Sequence, residues 1–342
     1  MYLKKFIRAL SLCLVPAMLL GACGGTAAPA PETEPTEDPY KNAYHKTNPA
    51  DDDTLYILTA AASNSYYFLD ELYGLLEAAG IKAKVCSLYK SSTGINQYHQ
   101  YWKNNENVFQ LIVHDEKGVT TMEGMNLDMA LKYYNFDVYN MQEGNAPHRQ
   151  GKTPQQAADE RALAHKEIIE HIREKCPFTK QYYQEIFAPD MGFDHAKYLS
   201  VFGQKLPAGQ ANYQMTTREQ QKAFQKSIRD YTELVCKDFD LGIIPCGRAW
   251  DIARENPLCG KMCGRLAVNN GEGDYLHDGD VGGGQYLSAC VWFETITGQS
   301  CIGNTFRPTY QKGGMGYAFS EEMITVLQNA AHQAVAELNT GK

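Results

Sequence analysis

The segment AAASNSYYF at residues 60–68 follows an apolar run, TLYIL, and precedes an amphipathic one, FLDELYGLLEAAG. It places Ser63, Asn64 and Ser65 at a strand-to-helix junction, where two roles compete. Serine and asparagine are favoured helix caps. The same position suits a nucleophile, because unpaired backbone N–H groups and the helix dipole favour a developing oxyanion. A nucleophilic serine needs a base held in the right tautomer. Far downstream, GEGDYLHDGDVGGGQYLSACVWFETITG supplies a candidate pair, Asp274 and His277, in a glycine-rich loop before a helix. A DxxH turn folds the carboxylate back onto one imidazole nitrogen and leaves the other facing outward. On its own the pattern also describes an ordinary loop network or a metal pair.

The elements around these residues alternate. TLYILTAAA reads as a buried strand, followed by a helix from about Tyr66 to Ala79 that stops at Gly80. KAKVCSLY is a second strand, and NVFQLIVHDEKGVTTMEG a hairpin or strand pair turning at Lys117-Gly118. LDMALKYYN is a short helix leading to a third core strand, FDVYNMQ. Thr153 and Pro154 open a long helix ending at Cys176-Pro177, with Ala158, Ala162, Leu163, Ile168, Ile169 and Ile172 assigned to its apolar face and His165 and His171 to its wet face. KYLSVF is taken as a fourth strand and LGIIPCG as a fifth, with a helix over TTREQQKAFQKSIRDYTELVCKDF between them. Helices at about 285–297 and 320–338 close the chain. Strands alternating with helices predict an α/β fold, a three-layer α/β/α sandwich with a mainly parallel sheet of about five strands. Ligands in such folds sit beyond the carboxyl ends of the strands. Ser63, Ser65, Gln142 and Gly247 all follow strands and fall on that rim.

SNSYY near the start and DYLH near the end resemble the first and last conserved blocks of the SGNH (GDSL-type) hydrolases. ILTAAASNSYYFLDEL, SLYKSSTGINQYHQYW, FDVYNMQEG and GGGQYLSACVWFETITG are similar to a bacterial SGNH branch catalogued as a domain of unknown function, over about residues 54–335. The resemblance implies Ser65 as nucleophile, His277 as general base and then acid, and Asp274 as the residue orienting it. It implies an oxyanion hole made by the N–H of Ser65, an N–H from the second block at Ser92 or Gly94, and a side-chain amide from the third block, Gln142 or Asn145. Asn64 and His99 become candidates for substrate contact. The pattern departs from the family at three places. Ser63 stands where glycine precedes the asparagine, Ser91-Ser92 replace a glycine pair, and MQEGN replaces a Gly-x-Asn. No metal or organic cofactor is implied.

The amino terminus carries Lys4, Lys5 and Arg8 before an apolar stretch too short to span a bilayer, ending in Leu20-Gly21-Ala22-Cys23. This resembles a lipoprotein signal over 1–22, with Cys23 lipidated and the protein exported and anchored to the outer face of a bacterial membrane through that lipid alone. Residues 23–52, rich in Pro, Ala, Thr and acid, read as a disordered tether, and 53–342 as the hydrolase-like domain. A net charge of −8 with no basic stripe argues against nucleic acid as a partner. Of ten cysteines, Cys13 and Cys23 belong to the leader. Cys259 and Cys263 are near enough to pair, though a small buried thiol is the plainer state for most of the rest. The aromatics Tyr182, Tyr183, Phe187, Phe193 and Tyr198 fit core packing before sugar stacking. The expected function is a surface-anchored serine esterase acting on a small or glycan ester. The rivals are a catalytically degenerate carbohydrate-binding relative and a solute-binding lipoprotein of two similar lobes.

Overall fold

The computed structural model describes residues 45–47, 51–63, 66–143, 151–189, 192–201, 203–206, 208, 212–259, 283–312 and 315–340. At its centre is β1 (Leu55–Ala61), paired in parallel with β2 (Ala83–Tyr89) on one side and β5 (Val138–Met141) on the other. β6 (Lys180–Gln184) and β7 (Gly242–Ile244) extend the parallel sheet beyond β5. β3 (Phe109–Asp115) and β4 (Gly118–Met125) form the expected hairpin and add antiparallel to β2. The sheet order is β4-β3-β2-β1-β5-β6-β7, so the five expected parallel strands become seven once the hairpin joins the sheet. One continuous sheet thus forms the body, in place of two hinged lobes.

Both faces are covered. On the first, α1 (Leu69–Ala78), α7 (Cys246–Ala253), α8 (Gly284–Thr297) and α9 (Glu321–Thr340) pack with Ile57, Val85, Val138 and Ile244 into one apolar core. Every residue of α8 from Gly284 to Glu294 is buried, the mark of a helix enclosed on all sides. On the second face lie α2 (Ile95–Lys103), α3 (Leu127–Tyr133), α4 (Pro154–Lys175) and α6 (Arg218–Phe239). Thr153 begins α4 as expected, its hydroxyl accepting from Gln156 N–H while Gln156 returns a bond to the Thr153 N–H.

Several expectations change. KYLSVF is not a strand but belongs to α5 (His195–Val201) and the residue after it, and the fourth parallel strand is β6, KQYYQ. Asp194 Oδ1 accepts the Lys197 N–H at 3.0 Å, a helix-start signal that the apolar run obscured. In β6 two adjacent tyrosines serve opposite faces, which hides the alternation of a strand. On α4 the buried stripe runs through Arg161, Ala164, His165, Ile168, Ile169 and Ile172, at helical spacing. Leu163 falls off that stripe and is 64% exposed, whereas His165, expected on the wet face, is fully buried. His171 is half-buried, its Nε2 2.6 Å from Asp128 Oδ1. α7 and a small hairpin, β8 (Thr309–Lys312) with β9 (Met315–Ala318), had no counterpart in the sequence reading.

The folded body also begins earlier than residue 53. Lys46 is 2% exposed, its Nζ 2.6 Å from Asp137 Oδ2 and donating to the Thr54 carbonyl. The expected tether is therefore docked at this point. Cys23, the leader and most of the tether lie outside the described residues. No described helix is long and apolar enough to cross a membrane.

Candidate active site

Because β2, β1, β5, β6 and β7 are parallel, the segments that follow them share one rim. Chain order reverses between β1 and β5: the chain passes from β1 outward to β2, then returns to β5 on the other side. Such a switch point opens a crevice where ligands bind in open α/β sheets. The segment after β1 carries the serines, and the segment after β5 begins with Gln142.

After β1 the chain turns at once, with Tyr66 N–H donating to the Ser63 carbonyl at 3.0 Å. Helix α1 starts only at Leu69, and its N-cap is Phe68, which makes no side-chain capping bond. The N-cap is thus none of the residues expected there, and the helix begins three residues later than the sequence suggested. Tyr66 stacks on Tyr89 at the end of β2, ring centroids 4.8 Å apart and 23° from parallel, and contacts Tyr67 at 5.0 Å. This aromatic group fixes the exit of the turn to the neighbouring strand. Asn64 and Ser65 themselves lie outside the described residues.

The second block follows β2. Ser92 has φ of 59°, a left-handed conformation that glycine adopts freely and serine does not. A glycine at this position would carry no such strain. Thr93 is buried, and Gly94 is the N-cap of α2 with no side-chain cap. His99 lies further along α2, its Nε2 2.8 Å from Glu167 Oε2 on α4. Its described partners belong to that helix contact.

The third block is the best resolved chemically. Asn140 and Gln142 are two apart on β5 and its extension, so they share a sheet face. Both are buried, at 0% and 3% exposure, and among the described residues neither amide has a hydrogen-bond partner on its oxygen or its nitrogen. Ser87 sits in the same cross-strand row, through Thr59, and its buried hydroxyl is also unpartnered. Leaving such groups unsatisfied costs about 1–3 kcal/mol each. These donors and acceptors lie together beside the switch point, where a ligand or ordered water can supply the missing bonds.

Glu143 points the other way. Its Oε1 accepts from Arg161 Nε and its Oε2 from Tyr231 Oη, both at 2.7 Å. His165 extends the group, with Nε2 3.3 Å from Tyr231 Oη and Nδ1 3.3 Å from Met141 Sδ. Burial, reinforced by the Arg161 charge, lowers the His165 pKa to about 3, so its imidazole is neutral. Burial raises the Tyr231 hydroxyl far above its ordinary range. After β6, Glu185 is fully buried, with Arg248 Nε 3.1 Å from its carboxylate and Gln225 Nε2 donating at 2.9 Å. Burial raises its pKa against the opposing pull of Arg248 and Arg229. Gly247 packs tightly here: a Cβ would come within 2.2 Å of the Ile186 carbonyl.

Of the residues expected at the site, the structure brings the Ser63 turn, Ser92, Gly94 and Gln142 to one rim. Ser65, Asn64, Asn145, Asp274 and His277 lie outside the described residues, as does Cys263. The seven described cysteines, Cys259 among them, are buried free thiols. Tyr183, Phe187 and Phe193 are core residues, as expected. No group of three metal-ligating side chains occurs among the described residues. Asn140, Glu143, Arg161, Tyr231 and Glu185 went unremarked in the sequence. The available signal was polar residues inside FDVYNMQE, a strand short enough to be buried on both faces.

The fold defines the class: an α/β/α sandwich whose central parallel strands run β2-β1-β5-β6-β7. The chain shares this fold with a DUF4886 family protein from Bacteroides uniformis, at 21% identity and a TM-score of 0.60, over 83% of this chain and 95% of that one. A putative GDSL-like lipase from Parabacteroides merdae matches at 16% identity and TM-score 0.41, over 70% and 94% of the two chains. A mutant of Axe2, an acetylxylan esterase from Geobacillus stearothermophilus, matches at 9% and 0.39, over 71% and 94%. No family model matches the chain, and no curated protein does.

Proposed function

We propose that this protein is a serine ester hydrolase of SGNH type, working at the crevice between β1 and β5. The observation that carries the reading is Gln142: a buried amide with no partner among the described residues, beside the serine-bearing turn at the switch point. An unsatisfied amide N–H fits a group that receives its hydrogen bond from substrate, as an oxyanion donor does. The neighbouring solved structures named as a GDSL-like lipase and acetylxylan esterases agree with this reading without carrying it.

Ser65 Oγ attacks the ester carbonyl while His277 takes its proton, and Asp274 holds the imidazole in the required tautomer. Gln142 and the backbone of the Ser92–Gly94 segment stabilise the tetrahedral oxyanion. His277 then protonates the leaving alcohol, and water activated by the same imidazole cleaves the acyl-enzyme to acid and free serine. The exported, lipid-anchored location read from residues 1–52 proposes an acylated extracellular carbohydrate as substrate, with acetyl the acyl group.

The test is hydrolysis of a small aryl acetate and of acetylated oligosaccharides by the purified protein. Turnover that disappears in Ser65→Ala supports the reading. Equal rates for wild type and Ser65→Ala across acyl esters sink it.

A further inference from the structure

We infer that Glu143, clamped by Arg161 and Tyr231, is the positioning residue that sets two of the oxyanion donors, the second-block backbone and the Gln142 amide, relative to each other. The inference rests on the esterase reading. Ladder pairing holds β5 only through Met141, which pairs with Ala60 and Tyr183. Gln142 lies one residue beyond the last rung, so the sheet does not fix it. The next side chain does. Glu143 projects to the opposite face, where one oxygen accepts from Arg161 on α4 and the other from Tyr231 on α6. Two charge-assisted bonds at buried atoms leave the carboxylate little freedom.

The same carboxylate abuts the second block. A Cβ built on Gly94 would stand 3.5 Å from Glu143 Oε1, an ordinary van der Waals contact, so this oxygen lies beside the N-cap of α2. Glu143 is thus adjacent in sequence to the side-chain amide and adjacent in space to the backbone of the second block. One rigid group registers both.

Charge raises an objection that the structure answers. A carboxylate near a forming oxyanion opposes it, unless the negative charge is neutralised in place. The Arg161 guanidinium does so, with Nη1 also tied to the Ala157 carbonyl at 3.0 Å, and both side chains are under a tenth exposed. His165, neutral, and the Tyr183 ring lie beyond Tyr231. Glu160, on the wet side, is 3.8 Å from Arg161 Nη1.

The experiment compares kcat and KM on an aryl acetate for the wild-type protein, Tyr231→Phe, Glu143→Gln, Glu143→Ala and Ser65→Ala. Arg218→Gln, which loses an ion pair between α6 and α7, serves as a control for lost stability. Tyr231→Phe, which removes only a hydroxyl, is expected to lower kcat about tenfold with KM nearly unchanged, because the donors act on the transition state. The Glu143 variants should order as alanine slowest, glutamine intermediate and wild type fastest, since an amide oxygen still accepts from Arg161. Folded Tyr231→Phe with unaltered kcat overturns the inference. So does a loss that merely follows the folded fraction by circular dichroism, as in Arg218→Gln. Wild type no faster than Ser65→Ala removes the esterase reading, and this one with it.

Discussion

The two sides of β5 make opposite use of polar side chains. Met141 and Glu143 face α4 and α6, where the Glu143 carboxylate has both oxygens bonded and its charge compensated by Arg161. Asn140 and Gln142 face the other way, equally buried, with four amide atoms unpartnered among the described residues. Four successive residues therefore carry a closed network on one side and an open one on the other. A polar group buried for stability is satisfied within the chain. One kept open lowers stability and is retained where a ligand supplies the missing bonds. The difference separates what holds the rim from what acts there.

The largest expected effect comes from breaking the closed side. Arg161→Gln leaves the Glu143 carboxylate buried without its counter-charge, and loss of one partner of such a pair costs about 3–5 kcal/mol. Chemical denaturation should show a drop of that order. A drop below about 1 kcal/mol would be the value of an exposed pair, and would erase the contrast between the two sides.

The open side should behave in the reverse manner. Gln142→Met keeps the volume but removes two unsatisfied atoms, so stability is expected to hold or rise by about 1 kcal/mol. If Gln142 donates to the oxyanion, kcat on an aryl acetate should fall about 10²- to 10³-fold, the range for one lost donor. Stability rising while rate falls is the signature of a functional polar group. Stability falling with rate unchanged would make Gln142 an ordinary core residue.

Much of this architecture was legible in the chain. Strand–helix alternation fixed the parallel sheet, and Thr153-Pro154 marked the start of α4, because caps and periodicity are local signals. What stayed hidden was set by tertiary neighbours. His165 looked like a wet-face residue because nothing local reveals that α6 covers that side of α4 with Tyr231. KYLSVF looked like a strand because its apolar run outweighed the cap at Asp194. The rim positions of Ser63, Gln142 and Gly247 followed from strand order alone. The Glu143–Arg161 pairing did not, since it joins residues 143 and 161 across two elements.

His165 sharpens the closed side with pH. Its folded pKa, lowered to about 3, lies below the ordinary value of about 6.5. The unfolded chain therefore binds a proton that the folded chain refuses, and stability is lost as pH falls from 6.5 toward 3. At about 1.4 kcal/mol per pH unit, the loss from this group between pH 6.5 and 5 is about 2 kcal/mol. His165→Gln should flatten the acid limb of the stability profile by that amount, measured as urea midpoints across pH. An unchanged slope would mean that the imidazole is protonated in place, against its neutral role beside Tyr231.

The smallest effect tests the open side at its second block. Among the described residues, three non-glycine ones have left-handed φ: Ser92 at 59°, and Asn105 and Asp240 at 54°. Asparagine and aspartate tolerate that region; serine does not, and the strain is about 1–2 kcal/mol. Ser92→Gly relieves it but adds freedom to the unfolded chain worth about 0.4–1 kcal/mol. The net expectation is a gain of about 0.5–1 kcal/mol in chemical denaturation. A backbone N–H donor is indifferent to the side chain it carries, so kcat/KM should stay within about twofold of wild type. A sharp fall in rate would instead show the Ser92 hydroxyl taking part, and the second block would then supply a side chain to the site as the third block does.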